Sequence, residues 1–540
     1  MQRARILLAV ILTLVATGLA CAAEPRAPQM GAWWAHVAEL ASDRYAGRET
    51  GTDGHRAAAG YVAARFRALG LDSLGLPGYF QPVPFLSRTI DASRSRVEFV
   101  RDGVATVLEP GSDIVIQKQF EPAKEIDAPL VFVGFAMVAP EAGHDDLAGL
   151  DLRGAVAVFL NGGGPSSVPE PLRAHAQDNG MRWAHLRDAG AIGWVSIPNT
   201  HVLDIPWTRI ALQGLKPAMS LAEPALDVRA GQKFGITLNP TLADRLLAGS
   251  GHSLKELLAL ADSGLALPRF PLTSRVRATV ACRTRSVTSP NVVALLKGTD
   301  PALRQECVVL TAHLDHLGIG VPVNGDSIWN GAMDNAAGVA TLLEIARAVS
   351  RPEARPRRSL LFVATTGEEQ GLLGSRYFAG HPPVPLERLV ANLNMDMHLP
   401  IVPLKRLIVF GVGESSLGDL AREVLSRENV EVQDDPQPAR NRFIRSDQYN
   451  FIVKGIPALA FTFGYHAGSP EESLLLAWGK GRYHAPSDDL AQPVDLGAAD
   501  DFTQTLLTLT RATADLPERP RWKSASFFTR FAEHPKGSKP

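Results

Sequence analysis

The sequence predicts an α/β fold, a three-layer mixed sheet covered by helices and interrupted by an inserted β-rich domain, and three observations carry that prediction. After Phe270, apolar strand-like runs at Val276–Thr284, Asn291–Leu296, Cys307–Ala312 and Leu360–Thr365 alternate with helix-length stretches near Ala336–Ser350, Ser416–Arg427, Asp447–Val453 and Asp500–Ala514. From about Asp91 to Arg269 the texture differs: short β-rich runs such as Pro129–Phe135 and Ala155–Phe159, turns such as NGGGPSSVPEP, and one helix near Met181–Ala189. Finally, 540 residues are too many for one compact core, and 45% hydrophobic residues supply enough apolar surface for two or three. The expected organisation is a signal peptide over 1–22, a first part of the main domain over 23–91, the insert over 92–271, and the rest of the main domain over 272–540.

In order along the chain, Met1–Ala23 carries Arg3 and Arg5, an apolar run Ile6–Leu19 and small residues around Cys21, the pattern of a secretory leader cleaved after Ala22. Lipid attachment at Cys21 is the alternative, weakened by Gly18 where a leucine-like residue is usual. The later sequence has no run long and apolar enough to span a bilayer. Ala57–Leu69 reads as an amphipathic helix closed by Gly70. A net charge of -1 argues against nucleic acid or an anionic membrane as partner. Of three cysteines, Cys282 and Cys307 lie in strand-like runs and are expected as free thiols rather than a disulfide. The sequence leaves the oligomeric state open.

The chemistry gathers in the second half. In ATTGEEQGLLGS, Glu368 and Glu369 follow an apolar run at a glycine-flanked turn, where one carboxylate can hold a metal while the other acts as general base; as a lone feature they read more readily as solvated acids at a helix start. TAHLDHLG ends a strand with His313 and same-side Asp315, a ligand and its supporting carboxylate or a simple hydrogen-bonded pair; His316 is expected to point away. Asp334 in NGAMDNAAG precedes a helix whose small residues allow close approach to the sheet, as an N-cap or a metal bridge. Asp396 in NMDM would be costly to leave unpaired after an apolar strand. His484 sits in GRYHAPSDD, between Tyr483 and Asp488. Together His313, Asp334, Glu369, Asp396 and His484 are mixed N/O donors that suit zinc, and five exceed one catalytic tetrahedral site. They fit two metals sharing a carboxylate.

These motifs, in this order, resemble peptidase family M28, zinc exopeptidases that include aminopeptidases and glutamate carboxypeptidase-type enzymes. The stretch VFVGFAMVAPEAGHDDLAGLDLRGAVAVFL with RDAGAIGWVSI resembles a protease-associated (PA) domain. The resemblance implies the zinc-exopeptidase (phosphorylase/hydrolase-like) fold, a peptide substrate and two Zn2+ per chain. Asp334 would bridge, with His313 and Asp396 on one ion and Glu369 and His484 on the other. Glu368 would be the general base, Asp315 would orient His313, and the bond after Asp334 would be cis. Tyr483 is a candidate substrate contact. The chain departs from the pattern at Gln448, where relatives often carry histidine, and in the long loop that brings Tyr465 and His466 before His484. The leading expectation is an exported aminopeptidase. A carboxypeptidase of acidic peptides would use a cationic pocket, for which Arg440, Arg442 and Arg445 are candidates; a non-catalytic binding module would have lost ligands that are all present here.

Overall fold

The computed structural model describes residues 30–202 and 206–533; the leader expected over 1–22 and Cys21 lie outside them. Two large sheets organise the chain. The first has nine strands in the order Ala218–Leu221, Phe80–Ile90, Cys282–Leu296, Ser359–Thr365, Cys307–His313, Leu389–Asn394, Ala458–Phe463, Arg406–Phe410, Glu431–Gln433. Its four central strands, from Ser359–Thr365 to Ala458–Phe463, are parallel, and their immediate neighbours, Cys282–Leu296 on one side and Arg406–Phe410 on the other, join them antiparallel.

The central strands are apolar throughout because both faces are covered. Successive side chains alternate sides. Val308, Leu310 and Ala312 enter a core shared with the helices Met30–Leu40, Asp53–Ala68, Ala337–Val349 and Leu496–Asp515, while Cys307 and Val309 join Phe378 and Phe451 on the opposite face. Cys282 and Cys307 are free thiols. The helix expected at Ala57–Leu69 runs Asp53–Ala68, with the Thr52 hydroxyl accepting from His55 N and Gly70 at φ 69° beyond its end.

The second sheet, of eight strands, is built from residues between Arg96 and Thr279. It has its own core around Phe132, Val158, Val195, Ile236 and Val276. The expected strand Val276–Thr284 is divided: Arg269–Thr279 closes the second sheet and Cys282–Leu296 belongs to the first. Arg269–Thr279 alternates with period two and Cys282–Leu296 does not, but β-prone residues continue through Val280 and Ala281, so the composition does not mark the crossing. Ala218–Leu221 returns from the middle of the chain to the edge of the first sheet. No helix among the described residues is long and apolar enough to cross a membrane.

Candidate metal centre

Parallel strands place their carboxyl ends along one edge, and the crevice outside that edge is where open α/β sheets bind ligands. His313 is the last residue of Cys307–His313, Glu368 and Glu369 follow Ser359–Thr365, and Asp396 follows Leu389–Asn394. Asp334 comes from the turn Ala332–Ala336 that opens the helix Ala337–Val349, and its peptide bond to Asn335 is cis. Asp334 does not cap that helix. Its backbone N–H and that of Met333 both donate to the Asp488 carboxylate, 3.0 and 2.9 Å away, which pins the turn to the loop carrying His484. The Asn335 amide donates to Met395 O and accepts from Gly338 N, tying the same turn to the Asp396 strand.

The carboxylate of Asp334 faces two groups. Its Oδ1 lies 3.2 Å from His313 Nε2, which is also 3.1 Å from Asp396 Oδ1. Its Oδ2 lies 3.3 Å from His484 Nε2, which is also 3.1 Å from Glu369 Oε2. All five residues named from the sequence therefore converge. Glu368 is beside them: its carboxylate and the ligand atoms of His313 and Asp396 lie within 4.8 Å of one another, as do those of His313, Asp334 and Glu369. His466, by contrast, is exposed.

Electrostatics follow from crowding acids in a buried place. Burial, then the charges of Asp396, Glu369 and Asp447, push the Glu368 carboxyl well above the usual carboxylate range against the pull of His313. Burial would also raise Glu369, but His484 and His316 outweigh it and hold it at about 2. Burial opposes protonation of both imidazoles, yet Asp396 and Glu368 carry His313 well above its ordinary value, and Glu369 and Asp334 carry His484 to about 10. The carboxylates thus demand positive charge, which imidazolium protons supply; a divalent cation would supply more and release them. The donor set of two imidazoles and three carboxylates fits zinc.

Around the donors, Asp315 acts through two different groups. The contact to His313 Nδ1, 3.0 Å, is made by its main-chain carbonyl rather than its carboxylate. The carboxylate accepts the N–H of Glu368 and Glu369 and the hydroxyl of Thr50, at 3.1, 3.3 and 3.0 Å, and so holds the turn that presents both glutamates. Tyr483 stacks on His484 with ring centres 3.9 Å apart. Gln448, at the position of departure, is buried and joined to Asn394 and to Phe443 O. Arg442 donates to Gln437 and lies over Phe410, and Arg445 is exposed.

Three participants escaped the sequence reading. His316 turns inward, contrary to expectation, with Nδ1 2.8 Å from Glu369 Oε1. The strand ends at His313, so alternation no longer governs the residues after it. Ser446 donates to Asp396 Oδ2 at 2.6 Å. Arg48, fully buried, donates to Leu40 O, Leu314 O, Asn330 O and Gly331 O, joining the chain before the cis turn to the chain after His313.

Residues 291–510, which contain all five converging residues, match the model of peptidase family M28. This segment is of family M28. Among curated proteins, the chain is 27% identical over 259 residues to a probable leucine aminopeptidase 2 of Aspergillus oryzae, covering 45% of this chain and 49% of that one. It is 34% identical over 133 residues to the aminopeptidase NAALADL1 of Mus musculus, covering 24% of this chain and 16% of that one. The chain thus spans about half of the length of the first relative and less of the second. Among solved structures, the aminopeptidase from Aneurinibacillus sp. strain AM-1 superimposes with a TM-score of 0.53 at 20% identity, over 91% of this chain and 95% of that one. That likeness is one of fold. The M28 match begins at Asn291, beyond the second sheet's last strand.

Proposed function

We propose that the chain is an exported metallo-exopeptidase, an aminopeptidase that holds two zinc ions and removes the N-terminal residue of peptides. The observation that carries the reading is the division of Asp334: one oxygen faces His313 and Asp396, the other His484 and Glu369. Asp334 would bridge the ions, with His313 and Asp396 completing one site and Glu369 and His484 the other. The leader 1–22 would direct export, 23–91 and 272–540 would form the peptidase domain, and 92–271 a PA-like insert.

Bound there, the two ions would supply Lewis acidity toward the scissile carbonyl and lower the pKa of a water between them. Glu368, whose carboxylate lies beside the ligand atoms of His313 and Asp396, would take a proton from the attacking water and pass it to the leaving amine. Asp315 keeps Glu368 and Glu369 on a fixed turn through their N–H groups, so the base does not wander from the water it deprotonates. Tyr483 packs along His484 and would contact the substrate there.

Metal analysis of the purified chain tests the reading. Two equivalents of zinc in the wild type, falling to about one in His484→Ala and in His313→Ala, are expected from the two ligand sets. A single equivalent in the wild type, unchanged in His484→Ala, would contradict the shared-carboxylate arrangement.

A further inference from the structure

A second polar site lies away from the metal centre, where the edge of the eight-stranded sheet meets the helix Trp207–Leu215. There the protein forms an open cleft of about 210 Å3, lined by Lys118, Arg229, Gln117 and Thr237 among others, with no residue in common with the candidate metal ligands. Lys118 and Arg229 are only 5% and 7% exposed. Lys118 Nζ donates to Gly214 O. Arg229 lies 4.0 Å over the Trp194 ring, gives Nε to Gln232 and gives Nη2 to Gln117 Oε1 at 3.0 Å. Among the described residues neither cation forms an ion pair, and Arg229 Nη1 has no acceptor.

Buried cations without an acid partner are costly, and proteins retain them where a counter-charge arrives. Burial lowers Lys118 to about 8 and Arg229 to about 9. The charges that face Arg229 are Asp227 and Asp178, which support it, and Arg182, which opposes it; Lys118 is influenced by Cys282. Asp227 spends one oxygen on Arg229 N and Asp178 caps the helix Asn179–Asp188, so neither carboxylate is given over to the cleft. The rest of the lining is partly apolar, with Val115, Ile116 and Ile210, and offers the amides of Gln119 and Asn179 beside the bonded pair Gln117 and Thr237; the planar guanidinium suits a carboxylate or phosphate edge.

We propose that this cleft binds a small oxyanion, inorganic phosphate or a short carboxylate, held between Lys118 and Arg229. The site is independent of the peptidase reading. Calorimetric titration with sodium phosphate and with sodium acetate, at ionic strength fixed by chloride, is run on the zinc-loaded chain, on the chelator-treated chain, and on Lys118→Met and Lys118→Arg. One saturable site per chain is expected for phosphate, acetate or both. It survives chelation, weakens at least tenfold in Lys118→Met and returns in Lys118→Arg. No saturable heat with either anion, or binding that vanishes with chelator and persists in Lys118→Met, overturns the proposal, the second result placing the anion on the metals. Hydrogen exchange of the wild type needs no substitution: the anion that binds slows amides around Gly214–Ala218 and Arg229–Gln232, and unchanged exchange there also overturns it.

Discussion

Asp334 is the residue on which the metal centre turns, and its behaviour comes from its neighbours. Asp488 takes its backbone N–H and Asn335 ties the following residue to Met395 O, so the carboxylate is set rather than free to rotate between partners. Glu368 and Glu369 are adjacent in sequence yet treated oppositely: Glu369 faces His484 and His316 and is held ionised, whereas Glu368 is pushed upward by burial and neighbouring acids. Replacing Glu368 by Gln should leave the zinc content intact and lower kcat by ~10²–10⁴, read by steady-state kinetics beside metal analysis; unchanged kcat would remove it as the base. Asp315→Ala should act differently, since it frees two glutamate N–H groups at once. We expect ~1–3 kcal/mol of lost stability together with weaker zinc binding, measured by thermal unfolding and competition with a chelator. The convergence of the five candidate ligands was legible because they are polar residues beside apolar runs or glycine- and proline-bearing turns, a placement that needs a reason. His316 was not, because its orientation depends on where the strand stops. The role of the Asp315 carboxylate was not, because its partners are backbone amides 53 and 54 residues away.

At the scale of elements, the parallel centre of the first sheet decides where the site is, and the helix Ala337–Val349 decides how tightly it closes. That helix opens with small residues because it lies against the chain just before Asp396: a Cβ at Gly338 would sit 2.3 Å from both Asn335 Oδ1 and Met395 O. Alanine in a helix is ordinarily favoured over glycine by ~1 kcal/mol. Here the sign reverses: Gly338→Ala should destabilise by ~1–3 kcal/mol through overpacking and should weaken zinc binding, because the displaced groups hold the Asp334 turn. A raised melting temperature would contradict this. Alternating strands and helices were readable from sequence because burial on both faces makes such strands uniformly apolar. The crossing between sheets at Val280 and Ala281 was not readable, since β-prone residues continue through it without a turn residue. In the basic loop Arg351–Arg358, whose composition suits solvent, Arg358 is instead buried, with Nε 2.6 Å from Glu306 Oε2.

For the whole molecule, the two sheets are joined by contacts from several parts of the chain. Arg209 of the helix Trp207–Leu215 donates to Tyr483 O at 3.0 Å, beside His484, and Arg530 pairs with Glu141. His175 meets Tyr449 at 2.6 Å and packs against Phe527 and Phe531, so an imidazole of the middle stretch is enclosed by the segment that matches family M28 and by the C-terminal segment. Burial lowers His175 from 6.5 to about 4, and His55, under Ser289, to about 3. Both are neutral when folded and free to protonate when unfolded. Their contribution is therefore complete above pH 6.5 and is lost as pH falls toward 4, at up to ~1.4 kcal/mol per pH unit for each histidine. His175→Gln should narrow the difference between the melting temperatures at pH 7 and pH 5; an unchanged difference would show that the acid sensitivity lies elsewhere. The central claim is the reaction itself, and mass spectrometry of peptides incubated with the zinc-loaded chain tests it most directly, using each peptide with a free and with an acetylated N-terminus. Stepwise loss of N-terminal residues from the free form alone, abolished by chelator, is the predicted result. Removal of C-terminal residues, or peptides left intact by the zinc-loaded chain, would contradict it.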